Sequence, residues 1–135
     1  MRTYAPDQQL PPLDAPWVIL CAEPCFLESE AYRATPPSSL FWLQEVAYLE
    51  SLPLHLQVLS EEVKARLRLI LIYQSSQIPE NLLQEIKTIF PNAEIWVFRE
   101  GYWCNGNEKV PWPRPSAEEG VRWLFEWIRT LLQDN

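Results

Sequence analysis

Apolar residues fall along this chain in short runs separated by polar, proline-bearing stretches. WVILC at 17–21 has strand length. RLILIYQ at 68–74 is the strongest strand signal, a continuous apolar run of the kind a sheet covered on both faces requires. LHLQVLS at 54–60 alternates apolar and polar positions and so also predicts a strand, and AEIWVF at 93–98 reads as the next. Between them lie helix signals. SSLFWLQEVAYLESL at 38–52 follows Pro36–Pro37 and opens on serines suited to an N-cap. Its apolar residues, from Leu40 through Leu49, go nearly all the way round, which predicts a helix buried on several sides or half given to a partner. EEVKARL predicts a short helix. PENLLQEIKTIF at 79–90 sets Pro79 at a first turn and places Leu82, Leu83, Ile86, Ile89 and Phe90 on one stripe. Ser116 and Glu119 have the spacing of a capping box ahead of a last helix that runs toward Leu132.

Residues 1–16 carry four prolines and no periodicity and read as a proline-rich arm, leaving 17–135 as a single α/β domain. Alternation of strand and helix implies parallel strands joined by right-handed crossovers. The expected architecture is a three-layer sandwich, flavodoxin-like or receiver-like, with a short, mostly parallel sheet of about four strands and helices on both faces. WVFREGYW admits a local alternative, a hairpin around Glu100–Gly101 that makes Tyr102–Cys104 an extra antiparallel edge strand.

Charge narrows the partners. Eighteen acidic residues against eleven basic ones leave a net charge of −7, which repels a phosphate backbone. The densest basic stretch, Lys64, Arg66 and Arg68, reads as a solvated face, so nucleic acid is not an expected partner. No apolar run approaches the roughly 20 residues needed to span a bilayer, so no membrane partner is expected. Residues 1–16 are polar and proline-broken and offer no secretory core. Cys21, Cys25 and Cys104 have neither paired zinc spacing nor a redox CxxC. These features together predict a cytoplasmic protein whose thiols are free and act as small apolar residues.

Candidate chemistry belongs beyond the carboxyl ends of the parallel strands. Those positions hold Glu23, Ser60–Glu61, Gln74–Ser75–Ser76 and Arg99–Glu100. A receiver would need an acidic cluster there, but the three aspartates are Asp7, Asp14 and Asp134. With Gly101, Gly106 and Gly120 alone, neither a dinucleotide fingerprint nor a P-loop can form. His55 is the single histidine and lacks a second ligand at metal-binding spacing. No cofactor, metal or catalytic residue is expected.

The stretch EGYWCNGNEKVPWPRP at 100–115 raises a different expectation. It places Trp103 and Trp112 in a stiff proline-rich connection. On the last helix Val121, Leu124, Phe125, Ile128, Leu131 and Leu132 form a complete core stripe, with Trp123 and Trp127 on a second stripe beside it. Two readings stand. The rings of Trp103, Trp112, Trp123 and Trp127 line a partner-binding groove with Tyr102 and Arg114 at its rim, or they cover the edge of the core. The leading functional expectation is a non-catalytic interaction module, an adaptor or assembly chaperone that clamps a peptide or terminal segment. Its self-association face, for a homodimer, would be the 38–52 helix. The alternative is a degenerate α/β enzyme or small-molecule sensor with a pocket formed by Glu23, Ser75, Ser76 and Arg99.

With Arg favoured over Lys, abundant Leu, Gln, Trp and Pro, and a short α/β layout, the chain resembles small cyanobacterial proteins. Among these it is similar in style to the small chaperone that handles a carboxysome shell protein. That resemblance implies a protein that grips a terminal segment of a shell subunit and controls its assembly. It assigns no functional residue.

Overall fold

Two sets of apolar residues, of opposite parity on the same strands, organise the fold. In the computed structural model, which describes residues 10–36, 38–74 and 77–133, β1 (Trp17–Ala22) sends Val18, Leu20 and Ala22 into one core. Ile19 and Cys21 go into another core on the opposite face. Short helices α1 (Pro24–Leu27) and α2 (Glu30–Ala34) lead to β2 (Trp42–Val46). A 3-10 turn at Leu49–Ser51, α3 (Leu52–Gln57) and α4 (Glu61–Arg66) then lead to β3 (Leu67–Tyr73). After α5 (Glu80–Ile89) the chain makes β4 (Glu94–Arg99), β5 (Tyr102–Asn105), β6 (Glu108–Pro111) and α6 (Glu118–Gln133). Six strands form one mixed sheet in the order β2-β1-β3-β4-β5-β6. The first four are parallel, and β5 and β6 are antiparallel additions.

Helix placement follows from crossover handedness. The step from β1 to β2 runs one way along the sheet, whereas β2 to β3 and β3 to β4 run the other way. Right-handed crossovers then require helices on opposite faces. Accordingly Phe26, Leu27 and Tyr32 of α1 and α2 join the core of Val18, Leu20, Leu69 and Leu71. Leu52, Leu56, Leu83 and Ile86 of α3 and α5 join the core of Ile19, Ile70 and Ile72. Because α1 and α2 are short, α6 covers the rest of the first face through Val121, Leu124, Phe125 and Ile128, the expected stripe. β3 carries one irregularity: Trp17 pairs Leu67 but Val18 pairs Leu69, so Arg68 is an extra residue. That bulge puts Leu67 and Ile70 in the same core despite their odd spacing.

Two expected elements are corrected. The segment 38–52 is not a helix; its centre is the edge strand β2, parallel to β1 with Trp17 opposite Trp42. Phe41 and Leu43 feed one core and Val46 the other, while Trp42 stacks on Trp17 at 5.9 Å. A strand apolar on both faces has the same composition as a helix buried all round, and β1 decides between them. The self-association face assigned to a 38–52 helix therefore has no helix to carry it. Conversely, 54–60 is not a strand, because most of it belongs to α3. Leu52 and Leu56 are buried at helical spacing and Pro53 sits in the first turn, where its missing N–H costs nothing. The strands of the parallel sheet are therefore 17–22, 42–46, 67–73 and 94–99.

The hairpin after β4 is present. Glu100 (φ 51°) and Gly101 (φ 88°) both take the left-handed backbone of a type I′ turn, which matches strand twist. A second two-residue turn with Gly106 at φ 62° adds β6, a strand the sequence pattern does not announce. At the amino end, Ala15 is buried and Trp42 Nε1 donates to the Pro12 carbonyl at 2.8 Å, so 10–16 pack against the start of β2. The rest of the expected arm, 1–9, lies outside the described residues. Among the described residues no helix is long and apolar enough to cross a membrane.

Candidate functional site

The tryptophans answer their own question first. Trp103 on β5 is 0% exposed and Trp112, just after β6, is 4% exposed. Their rings lie 5.1 Å apart inside a continuous aromatic cluster. Trp112 also meets Tyr73 at 4.9 Å, Phe98 at 5.3 Å and Phe26 at 5.8 Å. Its backbone N–H donates to the Gly101 carbonyl and its indole N–H to the Gly120 carbonyl at 2.9 Å. Trp127 is half-buried, edge-on to Trp96 at 5.0 Å and 5.6 Å from Trp103. Trp123 stacks on Trp127 at the rim. Trp103 and Trp112 therefore do not line an open groove. Proline stiffness in 111–115 holds Trp112 down as a plug rather than presenting it. Of the remaining expected groove residues, Tyr102 is exposed on β5. Arg114 is exposed and donates through Nη1 to the Glu119 carboxylate at 3.2 Å, the same Glu119 expected in a capping box. Two indole N–H groups, of Trp96 and Trp103, are buried with no hydrogen-bond partner among the described residues.

What does open is a cleft of about 970 Å³ at the carboxyl ends of β1, β3 and β4. Strand order reverses between β1 and β3, so the loops that follow them leave in opposite directions and part to leave a crevice. The cleft is floored by Tyr73 and Phe98, whose rings meet edge to face at 5.0 Å above Trp112. Its polar lining comes from three strand ends: Glu23 after β1, Gln74, Gln77 and Glu80 after β3, and Arg99 with Glu100 at the end of β4. A depression of about 210 Å³ shares Glu80 and Arg99 and continues between α5 and the hairpin past Lys87 and Cys104. The structure thus brings together two of the four residues expected in a strand-end pocket, Glu23 and Arg99. The other two, Ser75 and Ser76, lie outside the described residues.

No family model, curated protein or solved structure matches this chain.

Electrostatics give the cleft a sign. Three carboxylates, Glu23, Glu80 and Glu100, outnumber the one guanidinium, Arg99, among the described lining residues. Burial raises the Tyr73 phenol above its ordinary value, and Glu23 and Cys25 push the same way. Tyr73 is therefore a neutral hydrogen-bonding group at physiological pH. The Cys25 thiol donates to Glu23 Oε2 at 3.6 Å. Cys21, buried at the end of β1, is pushed up to about 12 by desolvation, against a hydrogen bond from Gln74 that lowers it. A thiol so held stays protonated and behaves as an apolar side chain. His55 is exposed on α3, an element that contributes no residue to the cleft. Among the described residues no group of three or more His, Cys, Asp or Glu is placed to hold a metal.

Sequence reasoning missed Tyr73, Gln77 and Glu80. The available signal was positional: Tyr73 ends the strongest strand, and Pro79–Glu80 opens the helix that follows at the same end of the sheet. Glu100, already named among the strand-end positions, also sits at the first position of the β4–β5 turn. A side chain other than glycine at φ 51° costs about 1–2 kcal/mol, and asparagine tolerates that region better. Glu100→Asn should therefore stabilise the protein by about 1 kcal/mol in urea denaturation. Unchanged or lowered stability would mean that the turn is not strained by Glu100.

Proposed function

We propose that this protein is a non-catalytic binding module whose strand-end cleft holds the cationic end of a small molecule or of a partner's chain. The observation that carries this reading is the carboxylate-rich cleft at the strand-order reversal, with an aromatic floor. Carboxylates attract an ammonium or guanidinium group, and ring faces add cation–π attraction of about 0.5–2 kcal/mol as water is displaced. The overall charge of −7 acts in the same direction. Tyr73, held as a neutral phenol, offers a hydrogen bond rather than a base. The cation has two sources: a free amine, or a basic or amino-terminal segment of another protein. The shell-subunit segment implied by the resemblance belongs to the second. Trp103 and Trp112 contribute as the buried support under the floor rather than as contact residues.

Calorimetric titration of the full chain with putrescine, L-arginine, a short lysine-rich peptide and ADP tests this reading. Cationic ligands should bind and ADP should not, with affinity falling as salt screens the carboxylates. Glu80→Gln should weaken binding about tenfold, the loss of one charge-assisted contact. Binding of the peptide but not of putrescine or arginine would identify a protein source. Tighter binding of ADP, or indifference to both Glu80→Gln and Glu100→Gln, would overturn the reading.

A further inference from the structure

The misread segment 54–60 leaves a consequence on the surface. Its alternating apolar residues looked like one face of a strand, but α3 is a helix. Leu52 and Leu56 turn inward while Leu54 and Val58 are left 63% and 71% exposed. Leu54 on α3 and Val58, the residue that ends the helix as its C-cap, lie at i and i+4 and leave two apolar side chains on its outer side. Tyr48, just upstream, is also exposed, so three of the seven large apolar side chains left exposed among the described residues fall within 48–58. Leu54 further lines a groove of about 500 Å³ between α3 and α5, together with Pro53, Pro79 and Leu82. Glu50 and Glu85 stand in the same groove, and no cation lines it among the described residues. Solvated helix faces do not normally keep such a pair, and an apolar groove rimmed by polar residues marks a docking surface.

We infer that the α3–α5 groove docks a basic amphipathic helix of another protein. A furrow between two packed helices accepts the side-chain ridge of a third, which makes a helix the fitting occupant. Apolar side chains of that helix would cover Leu54, Val58 and Leu82, and its flanking lysines or arginines would meet Glu50 and Glu85. Charge complementarity also argues against a second copy of this chain. A two-fold contact places the same patch on both sides, so a groove holding Glu50 and Glu85 with no cation among its described lining residues would meet an equally acidic one. This surface is separate from the strand-end cleft, sharing only Pro79 at its edge.

The test is a titration of isotope-labelled full-length protein with a synthetic peptide of about 18 residues, long enough to form a helix. It carries leucines at i, i+3, i+4 and i+7 between lysines, and an analogue replaces the lysines by glutamates. The lysine peptide should shift amide resonances of residues 50–58 and 81–85, none of which lines the strand-end cleft. Its affinity should fall at least about tenfold in the Leu54→Ser/Val58→Ser variant, which alters only exposed positions. Equal binding of the glutamate peptide, shifts confined to the strand-end cleft, or no binding would overturn the inference. So would a dimer, detected by sedimentation, that Leu54→Ser/Val58→Ser dissociates, because a second copy would then be the occupant. Putrescine or ADP titrations leave these resonances unmoved, so failure here and failure of the cleft reading are distinguishable.

Discussion

Replacing Trp103 by alanine lowers the stability of the fold by about 3–5 kcal/mol, the cost of emptying a large aromatic site in a close-packed core. Trp103 is fully buried and its ring touches Phe98, Trp112, Trp127 and Tyr73 within 6.4 Å. The loss should appear as a fall in melting temperature of more than about 10 °C for a chain of this length. Trp123→Ala should cost much less, because that ring is half in water and has one stacked neighbour, Trp127, at 5.5 Å. Measured together by urea denaturation, the pair separates core from surface. If Trp103→Ala keeps its stability and loses only ligand affinity, the aromatic cluster is a binding surface after all.

Gly120→Ala is the second large effect, and its sign opposes helix propensity. In the first turn of α6 alanine should gain about 1 kcal/mol over glycine. Here an added Cβ would lie 1.8 Å from the Arg114 carbonyl oxygen, 2.5 Å from its carbon and 2.9 Å from the Pro113 oxygen. All three are backbone atoms, so no side-chain rotation relieves the contact, and the chain at 113–114 must lift away from the helix. That movement strains the Trp112 indole bond to the Gly120 carbonyl and opens the plug beneath the cleft. A net loss of about 3 kcal/mol is expected, with a red-shifted tryptophan emission as Trp112 gains water. A variant equal to or more stable than the wild type would show that the strap does not press on Gly120.

The two effects explain why the sequence leaves two readings of the tryptophans open. A proline-rich loop bearing aromatic residues is equally suited to presenting rings and to holding them down. The choice depends on whether another element passes close enough to be covered. Here Gly120 lets the loop cross α6 at backbone distance, and Trp112 drops into the space between β4, β5 and α1. Nothing in EGYWCNGNEKVPWPRP encodes that crossing except a glycine five residues beyond its end.

By itself the sequence determined the elements whose signal is local. β1, β3 and β4 follow from apolar runs of strand length. α5 and α6 follow from complete helical stripes and α4 from its short pattern, while the Glu100–Gly101 hairpin stood in the sequence only as an alternative. The rule that open sheets bind beyond their carboxyl ends also puts Glu23 and Arg99 at the strand ends where the cleft lies. Tertiary structure alone decided the segments 42–46 and 52–57: a doubly covered strand reads like a helix buried all round, and the half-exposed α3 reads like an alternating strand. In the first case pairing to β1 outweighed an excellent helical pattern; in the second, the space left under β1 and β3 selected Leu52 and Leu56 and turned Leu54 and Val58 outward. Which tryptophans are core and which residues share the cleft are likewise relations between distant parts of the chain. They depend on strand order and loop crossing, which short-range periodicity does not record.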